Sequence, residues 1–111
     1  MAVSLRNFPQ ALSLARKLTE RYPHSAASRC LRGVLALDMR QYQEASSSLR
    51  TAVSLQPENA LAHFCLALLE GTQGHFVAAL PHLQRTAELE PRSFIPYIYL
   101  TDCSRRLGHK E

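Results

Sequence analysis

Three prolines set the frame for this chain. Pro23, Pro57 and Pro91 lie in "RYPHSA", "LQPENAL" and "LEPRSF", each 34 residues from the next. Other residue types hold the same register. Fifteen residues before each proline stands an aromatic: Phe8, Tyr42, Phe76. Twelve before stands alanine: Ala11, Ala45, Ala79. Eight before stand Ala15, Leu49 and Leu83, and two after stand Ser25, Asn59 and Ser93. Such columns are an internal repeat, and a repeat of this length fixes architecture before any single residue does.

Each period reads as two helices. The first spans 26–39, 60–73 and 94–107; the second spans 8–21, 42–55 and 76–89. Proline ends each second helix, because it lacks an amide hydrogen and pushes its predecessor out of the α region. Ser25, Asn59 or Ser93 then accepts hydrogen bonds from the free amides of the next helix. Short turns such as "MRQY" and "QGHF" join the two helices. Gly33 facing Ala45, and Ala67 facing Ala79, are expected to let the helix axes come close. Pro81 falls inside a second helix, where it should cost a hydrogen bond and bend the rod.

This pattern resembles the tetratricopeptide repeat. The matching residues are Gly33/Ala67, Tyr42/Phe76, Ala45/Ala79, Leu49/Leu83, Ala52 and Pro57/Pro91. Three positions depart from it. Arg29 and His63 replace the large aromatic early in the first helix, which returns as Tyr97; Thr86 replaces the alanine seen at Ala52; Pro81 interrupts a helix. The resemblance implies an all-α fold of about six helices, with antiparallel helix–turn–helix repeats stacked as an α-solenoid in a right-handed superhelix. One array over 1–111 is expected: a half unit (1–25), full repeats at 26–59 and 60–93, and a half unit (94–111). Beginning and ending in mid-unit suggests an excerpt of a longer array, since such repeats bury their cores only against neighbours.

Composition excludes several classes. The 111 residues are 46% hydrophobic and 20% charged, neither disordered nor membrane-embedded. No apolar run is long enough to cross a bilayer, and "MAVSLRNFPQ" has no secretory pattern. The net charge of +4 is scattered rather than gathered into a nucleic-acid-binding patch. Cys30, Cys65 and Cys103 are odd in number and form no CxxC, as expected of reduced thiols in a cytoplasmic protein.

No motif carries chemistry. "EGTQGH" has a Gly-x-x-Gly but neither a preceding strand nor a lysine, and reads as an interhelical turn. The five histidines show no HxxxH spacing, so no metal is expected. No cysteine has a recognisable base and orienting group, so no catalytic residue, enzyme activity or cofactor is assigned. Ser46, Ser47 and Ser48 are expected to be mostly solvated.

The resemblance places the first helices along a concave surface that receives a peptide or a helix. Carried over, that face holds Ala27, Cys30, Val34, Leu37 and Asp38, then Leu61, Phe64, Leu68 and Thr72, then Ile95, Ile98, Asp102 and Arg105. Three- and four-residue steps put each set on one stripe, mostly apolar and polar at one end. Arrays that grip a C-terminal carboxylate need charge-assisted donors on this face. Here those sites read Cys30, Leu31, Val34, Cys65 and Leu61, with Tyr99 and Ile95 beside them, so no carboxylate clamp is expected. The implied function is a non-enzymatic protein-interaction scaffold holding an apolar or helical segment of another protein. The alternative is self-assembly into dimers or oligomers through the half-repeat ends. RNA-reading helical repeats use polar residues at fixed positions, which are lacking here.

Overall fold

The computed structural model describes residues 8–108, all helix and connecting turn with no strand among them. The chain divides between Pro57 and Glu58 into two compact units. Unit 1 contains α1 (Phe8–Arg21), α2 (Ala26–Asp38) and α3 (Tyr42–Leu55); unit 2 contains α4 (Ala60–Thr72), α5 (Phe76–Leu89) and α6 (Ile95–Gly108). In unit 1, α2 packs against both α3 and α1; in unit 2, α5 packs against both α4 and α6. The opening segment 1–7, and His109, Lys110 and Glu111 at the end, lie outside the described residues, as does the side chain of Phe8.

The punctuation works as the prolines dictate. Gln56 and Glu90, each just before a proline, leave the α region at φ −144°, ψ 88° and φ −125°, ψ 70°. Ser25 Oγ accepts from the Ser28 amide at 3.2 Å, and Asn59 Oδ1 from the Ala62 amide at 3.0 Å. Both satisfy a donor that the first turn leaves free. Ser93 Oγ accepts from the Ile95 amide at 3.3 Å, and α6 begins at Ile95, one residue later than the repeat predicts. Pro96 falls in that first turn, where its missing amide hydrogen costs nothing. Pro81 sits in α5, which runs unbroken from Phe76 to Leu89 with the proline ring exposed.

The turns repeat too, at unequal cost. Gly74, between α4 and α5, has φ +78°; Arg40, 34 residues earlier between α2 and α3, has φ +62°. Glycine adopts this left-handed conformation freely, whereas an L side chain is strained there by roughly 1 kcal/mol or more. The Gly-x-x-Gly of "EGTQGH" runs from the last turn of α4, which holds Gly71, into the interhelical turn at Gly74.

The cores follow the columns. Ala15, Ala45, Leu49, Ala52, Ala79 and Leu83 are almost wholly enclosed. Ala67, Ala79, Leu83 and Cys103 form one cluster in unit 2, with Phe64, Phe76, Leu80 and Leu100 packed around it. Gly33 makes room above all for Leu49, which supplies the nearest atoms. A Cβ there would stand 2.5 Å from Leu49 Cγ and 2.7 Å from Cδ2. Ser48 is buried, against the expectation of solvated serines; Ser46 is half-buried and Ser47 exposed. Helical geometry accounts for this, since Ser48 lies between the core positions Ala45 and Ala52 on one face.

One ion network ties all three helices of unit 1. Arg16 of α1 grips Glu44 of α3 through both carboxylate oxygens, at 2.6 and 2.8 Å. Arg32 of α2 donates Nε to Glu44 Oε2 at 2.9 Å and a terminal nitrogen to Thr19 Oγ1 at 2.9 Å. Thr19, itself buried, donates to the Arg16 carbonyl at 2.8 Å. Hydrogen bonds from Arg16, outweighing the partial burial of the carboxylate, and then from Arg32 hold Glu44 down to about 2.

Candidate functional site

α4 is the most thoroughly buried helix: Ala62, His63, Cys65, Leu66, Ala67 and Leu69 all point inward. One stripe escapes. Leu61 is 53% exposed, and Phe64 and Leu68 are half-buried. These three follow three- and four-residue steps along one face. α6 adds Ile95, Ile98 and Tyr99, which are 47%, 54% and 39% exposed. A cluster of this kind has a different meaning from apolar residues scattered singly over a surface.

The Phe64 and Tyr99 rings meet edge to face, with centroids 5.3 Å apart. Either side of this contact lies a cleft. The first, about 250 Å³, opens among Leu61, Phe64, Ile95 and buried Pro96, with Thr86, Glu90 and Ser93 at its edge. The second, about 240 Å³, opens among Ala67, Leu68, Phe76, Leu83 and Tyr99, with Thr72, Asp102 and Arg106 at its edge. Arg106 donates to Asp102 at 3.0 Å and lies 5.3 Å over the Phe76 ring. Ile98 and Arg105 line a third depression, about 500 Å³, along α6 that shares Tyr99 and Asp102 with the second cleft.

Most polar atoms at these clefts are already engaged. Thr72 donates to the Leu69 carbonyl at 2.7 Å, Thr86 to the His82 carbonyl at 2.8 Å, and Ser93 accepts from Ile95. Cys103 lines the second cleft, where burial and the Asp102 charge push its thiol up against the opposing pull of Arg106. A nucleophile needs the reverse shift.

The residues expected on the receiving face thus divide. Leu61, Phe64, Leu68, Ile95 and Asp102 gather around the two clefts, and Ile98 and Arg105 lie on the adjoining face of α6. In unit 1, Ala27 and Asp38 are exposed and Val34 and Leu37 half-buried, whereas Cys30 is 3% exposed and belongs to the core. The stripe on α2 is wide enough that its inner edge turns into the unit. Of the positions where a carboxylate grip would need donors, Leu31 is 44% exposed and Cys65 is 4% exposed. Pro96, Arg106 and Glu90 were not expected at a site. Pro96 and Arg106 lie in α6, the helix with the fewest repeat columns to register it.

The family model for the tetratricopeptide repeat matches residues 30–94, more than half of the chain. The chain belongs to the tetratricopeptide repeat family. Solved structures agree on the fold. The first tetratricopeptide domain of Spaghetti (RPAP3), bound to the HSP90 peptide SRMEEVD, superposes with a TM-score of 0.87 at 20% identity, over 91% of this chain and 80% of that one. The TPR2B domain of yeast Sti1, in complex with pHsp70, gives 0.83 at 18%, over 91% and 86%. A mutant O-GlcNAc transferase from Thermobaculum terrenum gives 0.85 at 20%, but the 95% of this chain that matches spans only 20% of the transferase. At such identities the likeness speaks for the fold alone. No curated protein matches the chain significantly. No helix of the described residues is long and apolar enough to cross a membrane.

Proposed function

We propose that this tetratricopeptide chain is a non-enzymatic protein-interaction module, and that the α4–α6 face of unit 2 receives an apolar segment of another protein. The observation that carries this is the exposed apolar cluster of Leu61, Ile95, Ile98 and Tyr99 beside two clefts whose threonine and serine hydroxyls bond within the chain. Water gains little there and an apolar ligand gains much. Val34, Leu37 and Ala27 on α2 offer a smaller face of the same character in unit 1. Membership of a family whose structural neighbours include two peptide-bound domains supports the reading. Fold likeness does not transfer their ligands. Leu31, Val34 and Leu61 supply no donors for a terminal carboxylate, so the ligand is read by its side chains instead.

The test is a panel of immobilised amphipathic peptides probed with the wild-type chain and with the Leu61→Asp and Leu68→Asp variants, each checked for native helicity. Binding that is lost in both variants supports the reading. Binding and oligomer size unchanged in both overturn it.

A second reading, self-assembly, is favoured by α6, which leaves Tyr97 and Ile98 more than half exposed, beside Phe94 at 70%. A dilution series in analytical ultracentrifugation separates the two. A monomer at every concentration removes self-assembly.

A further inference from the structure

The first and second clefts of unit 2 are lined by different residues and nearly equal in size, and this constrains what can fill them. The inference rests on the docking reading above and adds the form and polarity of the docked segment. Leu61 borders the first cleft and Leu68 the second. Leu68 stands seven positions on from Leu61 in α4, a rise of about 10 Å along the helix. Volumes near 250 and 240 Å³ are each ample for one large apolar side chain. The ligand therefore presents two apolar anchors about two helical turns apart, or about three residues apart if it is extended.

The polar inventory separates these cases. An extended segment brings a row of unpaired amide and carbonyl groups, which must find partners when buried. Thr72, Thr86 and Ser93 are engaged with the backbone, and Asp102 is held by Arg106. Beyond these, the lining offers the Glu90 carboxylate, the Tyr99 phenol and the Cys103 thiol among otherwise apolar side chains, too few partners for a row of amides and carbonyls. A helix satisfies its own backbone and asks nothing of these walls.

Charge then sets polarity. Glu90 stands at the first cleft, and no ion pair of the described residues engages it or Arg105. Beside the second cleft, Arg105 and Arg106 face a single Asp102, leaving one uncompensated positive charge. We infer that unit 2 binds an amphipathic helix of another protein, anchored by large apolar side chains at i and i+7. A basic residue of that helix meets Glu90 beside the first cleft, and an acidic residue meets Arg105 beside the second. The charges orient the helix and speed its encounter more than they add affinity.

The experiment uses the full chain and four fluorescein-labelled, hydrocarbon-stapled peptides titrated by anisotropy. One carries leucines at i and i+7 with lysine at the first end and glutamate at the second. One moves the second leucine to i+5. One exchanges the two charges. The fourth is unstapled, with prolines that enforce an extended backbone and leucines at i and i+3. The i, i+7 peptide should bind saturably. The i+5 peptide should bind about 10- to 100-fold more weakly, the loss expected when one leucine leaves its pocket. The charge-exchanged peptide should bind more weakly at low salt, with the difference shrinking at high salt. Glu90→Lys makes both ends positive and should abolish that charge preference without changing the spacing preference.

Equal binding of the i+7 and i+5 peptides, or tighter binding of the proline peptide, overturns the inference. If the proline peptide binds and Leu61→Asp abolishes that binding, the docking face stands and only the helical occupant falls. If no peptide binds, the inference falls, and the aspartate panel judges the docking face independently. Concentration-dependent self-association that Leu61→Asp removes would assign the clefts to a second copy of this chain, which also overturns the inference.

Discussion

Replacing Gly33 by alanine tests the closest packing in unit 1. Alanine normally strengthens a helix interior by about 1 kcal/mol over glycine. Here the added Cβ would meet Leu49 Cγ at 2.5 Å and Cδ2 at 2.7 Å, about 1 Å inside ordinary contact, with Cδ1 at 3.4 Å. Leu49 is fully enclosed, so it has no solvent side to swing toward. Two overlapping atoms in an enclosed site put the overpacking cost near the upper part of the usual 1–3 kcal/mol. After the propensity gain, Gly33→Ala should destabilise the chain by about 1–2 kcal/mol. Leu49→Ala alone should cost about 2–5 kcal/mol. In that background the clash is gone, so Gly33→Ala should instead stabilise by about 1 kcal/mol. Urea unfolding followed by circular dichroism gives all four corners of the cycle. The equivalent pair in unit 2, Ala67 with Leu83, shares one core cluster, so the repeat can accommodate a Cβ at this column. A neutral or stabilising Gly33→Ala in the wild-type background would therefore mean that α2 and α3 separate as readily, and would refute the close-packing argument.

Three further outcomes follow from particular residues. Glu44 is held at about 2 in the folded chain, below its ordinary value, so its contribution is present above about pH 4–5 and lost as pH falls toward 2. Because Arg16 is 45% exposed, screening trims that contribution to about 1–2 kcal/mol; acid titration of stability should show it, and Glu44→Gln should flatten the profile in that window. Arg40→Gly should stabilise by about 0.5–1 kcal/mol and Gly74→Ala should destabilise by a similar amount, as read by thermal unfolding, since both positions have positive φ. All three cysteines are buried and in no disulfide, so a colorimetric thiol reagent should titrate them slowly in the native chain and rapidly in urea.

Much of the fold was legible because proline and its capping partners act locally. Pro57 ends α3 and Asn59 opens α4 through bonds that span at most three residues, so the period alone located the helices. What the period could not supply was pairing at a distance. Arg16 and Glu44 are 28 residues apart and look like two scattered charges in the sequence. That Leu49 comes nearest to Gly33 depends on how the two helix surfaces interlock, which column spacing does not encode. Cys30 fell on the predicted stripe but into the core, because an apolar stripe has an inner edge as well as an outer one. Arg40 hid its left-handed conformation behind a residue type that rarely adopts it, although Gly74 at the same register marked the turn. At the site, Leu61, Phe64, Leu68 and Ile95 were legible as steps along one face. The contact of Phe64 with Tyr99 that splits the face into two clefts was not, since it joins helices whose relative rotation the sequence leaves open.

The central claim is that the α4–α6 face of unit 2 is the docking surface. Amide chemical-shift mapping of the labelled chain, titrated with the stapled i, i+7 peptide, tests it most directly. The account predicts saturable shifts concentrated at Leu61, Phe64, Leu68, Ile95 and Tyr99, abolished by Leu61→Asp. Shifts confined to α2, or saturable binding that leaves those five amides unmoved, would contradict it.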